Sequence, residues 1–220
     1  MTWPLHAWVY LAVGPLFSGA LLLYGWRHWY ALTAPLRIFL GLAGLSIMLE
    51  AIQLGTALGG HNNLWVSHAW WWAFTALTLL ALAHWVPPGW GRRLRLMALL
   101  WSALWVVLYA AGLESLAGQM ALSNPAHALV LLLATFTVVA HRAWHHLDMP
   151  LARQPWFLAC IGLLLYATLA SLRGPILQAV VDSDPVRARL ILWVGRVGYL
   201  AYVTSMLLSF RAEVAARGVT

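Results

Sequence analysis

Apolar residues fall in seven blocks of about twenty, separated by short stretches that are polar or carry proline. Each block is long enough to cross a hydrocarbon layer near 30 Å thick as a helix. The pattern predicts helices at 5–25, 35–58, 64–86, 96–117, 124–143, 156–173 and 190–210. Arg27-His28 followed by Pro35 ends the first, and Gly59-Gly60-His61-Asn62-Asn63 makes a polar turn after the second. Pro87-Pro88-Gly89 is expected to close the third, because proline lacks the helical donor and clashes with the preceding turn. Asn124-Pro125 opens the fifth, and Pro155 stands where a first-turn proline costs little. The stretch 174–189 is expected to be the one long external connection, interrupted by Asp182, Ser183, Asp184 and Pro185. Its apolar run from Ile176 to Val181 leaves an interfacial helix and a simple loop both open.

Composition turns these blocks into a fold class. The chain is 63% hydrophobic and only 9% charged, with a mean hydropathy of +0.78, against roughly 25% charged residues in a soluble domain. An all-α integral membrane protein follows, a single seven-transmembrane-helix bundle over residues 1–220. The first block lacks a basic n-region, and Arg27 follows it, so it is expected to remain as the first helix. The lone Cys160 excludes an intrachain disulfide and reads as a small buried residue. All thirteen basic residues are arginines, and the absence of lysine excludes a retinal Schiff base.

The arginines are scattered among the blocks, which suits orientation in a membrane and excludes a nucleic-acid surface. Arg27, Arg37, Arg92, Arg93, Arg95, Arg142, Arg153, Arg211 and Arg217 fall on one side of a seven-span arrangement. The other side receives Arg173, Arg187 and Arg189, partly balanced by Asp182 and Asp184. The basic side is therefore expected in the cytoplasm, with the N-terminus outside, the C-terminus inside and the chain multi-pass in a bacterial cytoplasmic membrane. Tryptophans near the block ends, among them Trp8, Trp26, Trp65, Trp90 and Trp156, suit the lipid interface, and membrane lipids are the expected partners. Trp70-Trp71-Trp72 reads as packing, with lipid or quinone contact as the alternative.

Three odd-numbered helices open on a similar pattern, at Leu5-His6-Ala7-Trp8, Ser67-His68-Ala69-Trp70 and Ala126-His127-Ala128-Leu129. The same helices close near His28, His84 and His141, which suggests a threefold helical-hairpin repeat followed by a seventh helix. His68 and His84 would lie roughly 24 Å apart along their helix, and His127 and His141 roughly 21 Å. His68 with His127, or His84 with His141, is thus a candidate haem pair. At about 100° per residue His68 and His84 point nearly opposite ways, against two haems. His141 and His145 share a helix face, and with His84 form a candidate transition-metal site beside His146 and Asp148. A basic cluster meeting lipid phosphates is the competing reading of that set. The cofactor, haem or a transition metal or neither, stays unknown.

Charged groups inside the blocks are costly unless paired, hydrated or neutralised. Glu50 and Gln53 belong to the second helix, Glu114 and Gln119 lie in or near the end of the fourth, and Arg196 belongs to the seventh. They are expected to converge with His68 and His127 on an external-side ligand-binding pocket walled by Tyr199 and Tyr202. Either glutamate can pair with Arg196, and either histidine can titrate near neutral pH. A structural polar network is the other reading of these seven residues.

No glycine-rich phosphate loop, CxxC pair or His-Glu-x-x-His motif is present, so whether the chain is an enzyme stays open. The run Gly60-His61-Asn62-Asn63-Leu64-Trp65-Val66-Ser67-His68 resembles a motif of small bacterial seven-helix proteins of unknown function. Asn124-Pro125, Pro155-Trp156-Phe157 with Gly162-Leu163-Leu164-Leu165-Tyr166, and Leu192-Trp193 extend the resemblance over nearly the whole chain. Such proteins are similar to the membrane sensor regions of some bacterial kinases. The resemblance implies a non-enzymatic sensor or accessory protein. With no output domain after Thr220, signalling is expected to need a separate partner subunit. A haem- or quinone-associated electron-transfer subunit and a small-solute transporter are the alternatives.

Overall fold

A computed structural model describes residues 5–118, 122–145, 150–180 and 185–218. The described residues form seven α-helices: α1 (Leu5–Arg27), α2 (Ala34–Leu58), α3 (Leu64–Leu82), α4 (Pro88–Ala110), α5 (Ser123–His145), α6 (Pro155–Val180) and α7 (Pro185–Ala216). Among the described residues five stretches are long and apolar enough to cross a membrane: Ala34–Leu58, Pro88–Ala110, Ser123–Trp144, Pro155–Leu172 and Leu190–Ala216. The chain is therefore a multi-pass membrane protein. Helix α3 has 19 residues, about 28 Å at 1.5 Å each, and carries three consecutive indoles together with His68.

Residue pairs across the interfaces fix the topology. Gly162 meets Ser205 and Gly198 meets Leu169, so α6 and α7 run antiparallel. Gly14 meets Arg196 and Gly25 meets Phe210, so α1 and α7 run parallel and the last helix closes the bundle against the first. Helix α3 is central, packed against α2, α4 and α5. Its buried Phe74, Leu79 and Leu82 join Leu36, Phe39, Leu131, Leu163 and Met206 in one core. The outer side of α4 stays apolar and exposed at Leu96, Leu99, Leu100, Val106 and Val107, as a lipid-facing surface should be.

Several expected boundaries move. Pro87-Pro88 does not extend the third helix to 86. Helix α3 stops at Leu82 and Pro88 opens α4, where its fixed φ suits a first turn and its missing N–H is no loss. The fourth helix consequently ends at Ala110, seven residues before the expected 117, and Gly112 terminates it at φ +69°. Leu113 N–H bonds back to Leu108 C=O at 2.9 Å and Gly112 N–H to Tyr109 C=O at 3.1 Å, the bond pair of a Schellman closure. Gly60, at φ +73°, closes α2 in the same way through His61 N–H to Thr56 C=O at 2.9 Å. Helix α6 continues through Gly174-Pro175 to Val180 and α7 begins at Pro185. The expected 174–189 connection thus contracts to the few residues between them, and Asp182 and Asp184 lie outside the described residues.

One end of the bundle carries Arg27, Arg37, Arg92, Arg93, Arg95, Arg142, Arg153, Arg211 and Arg217. There Arg37, Arg93 and Arg142 lie over the rings of Trp29, Trp90 and Trp156 at 5.1, 4.5 and 5.2 Å. Each pair joins a cation to an amphipathic ring at a helix end, the level where headgroups begin.

The α6–α7 seam is held by close approach. A Cβ on Gly162 would lie 2.6 Å from Ser205 Cβ and 3.2 Å from Tyr202 C=O, neither of which is the free end of a flexible side chain. Small residues at such a contact let dispersion act between helices that gain nothing from water exclusion. Gly162→Ala should therefore cost about 2 kcal/mol, as overpacking does. Gly41→Ala, which meets nothing within 4 Å, should cost nothing. Unfolding in mixed detergent micelles checks the pair, and equal stability of the two variants would refute the close-packed seam.

Candidate functional site

The polar residues of the membrane region assemble helix by helix into two knots and an aromatic column between them. The first knot joins α1, α2 and α7. Arg196 Nη1 donates to Glu50 Oε1 at 3.0 Å, and both side chains are largely buried. Gly14 presents bare backbone to the pair, since a Cβ there would lie 2.3 Å from Arg196 Nη1. One turn along the same three helices, Tyr199 Oη lies 2.7 Å from both Ser18 Oγ and Ser46 Oγ. The spacing explains this second layer: Gly14 and Ser18, Ser46 and Glu50, and Arg196 and Tyr199 are i,i+4 or i,i+3 neighbours, each pair on one helix face.

The second knot joins α3, α4 and the α4–α5 connection. His68, buried in the second turn of α3, donates Nε2–H to Gly118 C=O at 2.9 Å. Its Nδ1 faces the Tyr109 hydroxyl on α4. That hydroxyl also lies 3.3 Å from Glu114 Oε2. Glu114 Oε1 accepts the Leu122 and Ser123 N–H groups at 2.7 and 2.8 Å, capping the start of α5. Burial by itself would raise the Glu114 pKa, but the bonds from Ser123, Leu122 and Tyr109 outweigh it and hold the carboxyl below its ordinary value. Asn62 adds a second tie to the same connection, donating to Ala117 C=O at 2.9 Å while its Oδ1 accepts Leu64 N–H.

Between the knots runs the aromatic column. The His127 ring lies 4.1 Å from that of Trp71, and Trp71 stacks on Tyr166 at 5.7 Å. Tyr166 in turn meets Tyr199 and Tyr202 at 6.0 and 5.6 Å. Phe74 stands edge-on to Trp71, Tyr166 and Tyr202.

The seven residues expected in one pocket are thus distributed. Glu50, Arg196 and Tyr199 belong to the first knot, and His68 and Glu114 to the second. His127 and Tyr202 belong to the column. Glu114 stands in the connection after α4 rather than within the helix, because Gly112 has already closed it. Gln119 and the His146 and Asp148 positions lie outside the described residues, as does the side chain of His145. His84, exposed just past α3, and His141, half-buried in α5, both stand toward the arginine-rich end. Among the described residues no group of three His, Cys, Asp or Glu side chains is placed to hold a metal ion. Haem ligation through His68 would have to displace Gly118 C=O from one ring nitrogen or Tyr109 from the other.

Sequence reasoning passed over Tyr109, Ser18, Ser46 and Gly14, and read Asn62 only as part of a turn and a motif. Ser18 and Ser46 carried a readable signal, small polar residues one turn from a contact of the intramembrane Glu50–Arg196 pair. Tyr109 carried none, since its partners come from α3 and from a connection whose path the helix boundaries conceal. Comparison of the chain with protein-family models, curated proteins and solved structures finds no match to any of them.

Proposed function

We propose that the protein is a non-enzymatic membrane sensor or accessory subunit with seven spans, α1 and α3 joining the five stretches named above as long and apolar enough to cross a membrane. The arginine-rich end faces the cytoplasm of a bacterium, and the two knots stand toward the external side. One observation carries the reading: the polar groups of the external half bind one another across helices. Glu50 and Arg196 tie α2 to α7, while His68, Tyr109 and Glu114 tie α3 and α4 to the start of α5. Such ties change the relative placement of helices when one partner changes charge or acquires a ligand, which is what a sensor or a regulated subunit needs. Output would pass through the cytoplasmic end to a separate partner.

The test is an optical spectrum, metal analysis and subunit inventory of the protein purified from its native membrane without chelator. A colourless, metal-free protein that retains a second polypeptide supports the reading. A Soret band with near-stoichiometric iron overturns it in favour of electron transfer. A chain that purifies alone and carries solute across proteoliposomes overturns it in favour of transport.

A further inference from the structure

We infer that His68, Tyr109 and Glu114 form a proton-operated latch that fastens the α4–α5 connection to α3 and α4. The inference rests on the sensor reading for its purpose, naming the proton as the stimulus.

The argument is a count of hydrogens. Gly118 C=O can only accept, so the 2.9 Å bond from His68 Nε2 requires a proton on that nitrogen. A neutral His68 therefore has a bare Nδ1, and the single hydrogen available between Nδ1 and Tyr109 Oη is the phenolic one. While that hydrogen serves the imidazole, Tyr109 turns an oxygen lone pair toward Glu114 Oε2, 3.3 Å away. Two acceptors then face each other and the direct tie to Glu114 is open, which leaves the neutral Ser123 hydroxyl beside both as the bridging donor.

Protonating His68 reverses the line. Nδ1–H now donates to Tyr109 Oη, and the phenolic hydrogen is released to swing onto Glu114 Oε2. Every donor then points one way, from imidazolium through tyrosine to carboxylate, with the Leu122 and Ser123 amides on the far oxygen. Charge-assisted bonds of this kind are roughly twice as strong as neutral ones. One proton thus links α3, α4 and the first turn of α5.

The surrounding ionisable groups leave the line to these three. Tyr109 faces His68 from α4, and Glu114 faces Tyr109 from the connection. On α2 Glu50 is held by Arg196, and on α5 His127 lies against Trp71. In the α2–α3 turn His61 is exposed beside Gly59. The Ser123 and Leu122 bonds, which do not depend on Tyr109, come ahead of it among the causes that hold the Glu114 carboxyl below the ordinary value, so the carboxyl stays ionised in both arrangements of the line.

Hydrogen exchange of the amides in 111–118, on the whole protein in lipid nanodiscs at pH 5.5 and pH 8, tests the latch. After correction for intrinsic chemistry, exchange should be several-fold slower at pH 5.5, and Tyr109→Phe should abolish the difference. Exchange without pH dependence in the parent protein overturns the latch, as does an unchanged dependence in Tyr109→Phe. If that variant does not fold, imidazole 15N shifts of the parent decide. The Nε2–H tautomer of His68 at pH 8 supports the latch, and the Nδ1–H tautomer refutes it. A haem-bearing protein whose connection still responds to pH would remove the sensor reading and leave the latch standing.

Discussion

Arg196→Leu is expected to destabilise the protein by about 3–5 kcal/mol, the range for removing one partner of a buried ion pair. The cost arises from what remains. Glu50, on an apolar helix, loses the guanidinium 3.0 Å away and must hold an unpaired charge or take up a proton in largely apolar surroundings. Glu50→Leu combined with Arg196→Leu should recover most of the loss, since two apolar side chains in place of a buried pair are often close to neutral. Glu213→Gln is the control: Glu213 is itself largely covered, but its partner Arg217 is exposed, and an i,i+4 pair of this kind is worth only about 0.3–0.5 kcal/mol. Gly14→Ala should fall between the two, because its Cβ meets the mobile ends of Arg196 and Glu50, which can swing aside only by parting. Reversible unfolding in mixed micelles supplies all four values. If the double variant is as unstable as Arg196→Leu, an uncompensated Glu50 is not the source of the loss.

The same pair shows what the sequence could and could not convey. Glu50 and Arg196 stood out because charge in a twenty-residue apolar block demands a partner, and a hydrophobic chain offers few candidates. That rule offered Glu50 and Glu114 alike as partners of Arg196, without their geometry, and it gathered both with His68 and His127 into a single expected pocket. Depth along a helix is legible from residue number at 1.5 Å per residue. The direction a residue faces depends on which helices are neighbours, and no sequence period encodes that. Helix α3 became central because α2, α4 and α5 all pack on it, which parts His68, turned toward α4, from Trp71, turned toward α5 and α6.

Helix existence was legible for a plainer reason: in lipid an apolar stretch must satisfy its own backbone, and the helix is how one segment does so. Helix boundaries were less so. Proline signals a break without saying on which side of it the next helix begins, and Pro88 could be read as a stop or as a first-turn residue. Only the Schellman closure at Gly112 fixes the answer, since a helix ending there and long enough to cross must begin near Pro88. The eight-residue displacement of the fourth helix start decides the site as well. It frees Glu114 from a helix and lets its carboxylate turn onto the first amides of α5.

Glu114→Ala should consequently cost about 3 kcal/mol, from two charge-assisted bonds to backbone amides at roughly 1.5 kcal/mol each. The Leu122 and Ser123 N–H groups would be left without the acceptor that closes the start of α5, and Ser123 is itself buried. The effect carries a pH signature whose sign follows from the carboxyl's lowered pKa. In the unfolded chain the group titrates near the ordinary value of 4.5, and in the folded chain below it. As far as its own titration goes, its contribution is therefore complete above pH 4.5 and is lost as the pH falls through the folded value, because protons then bind the unfolded state first. The difference in unfolding free energy between the parent and Glu114→Ala should rise between pH 8 and 5.5, as the Tyr109 hydroxyl turns onto the carboxylate, and shrink below the mid-fours. A difference that stays constant in acid would mean that packing of the side chain, and not its charge, holds the connection. Asn62→Ala separates the two ties: it removes the bond to Ala117 C=O, together with the one from Leu64 N–H, while leaving the carboxylate in place. It should lower stability by about 1–2 kcal/mol, the net worth of two neutral hydrogen bonds, with no acid dependence of its own.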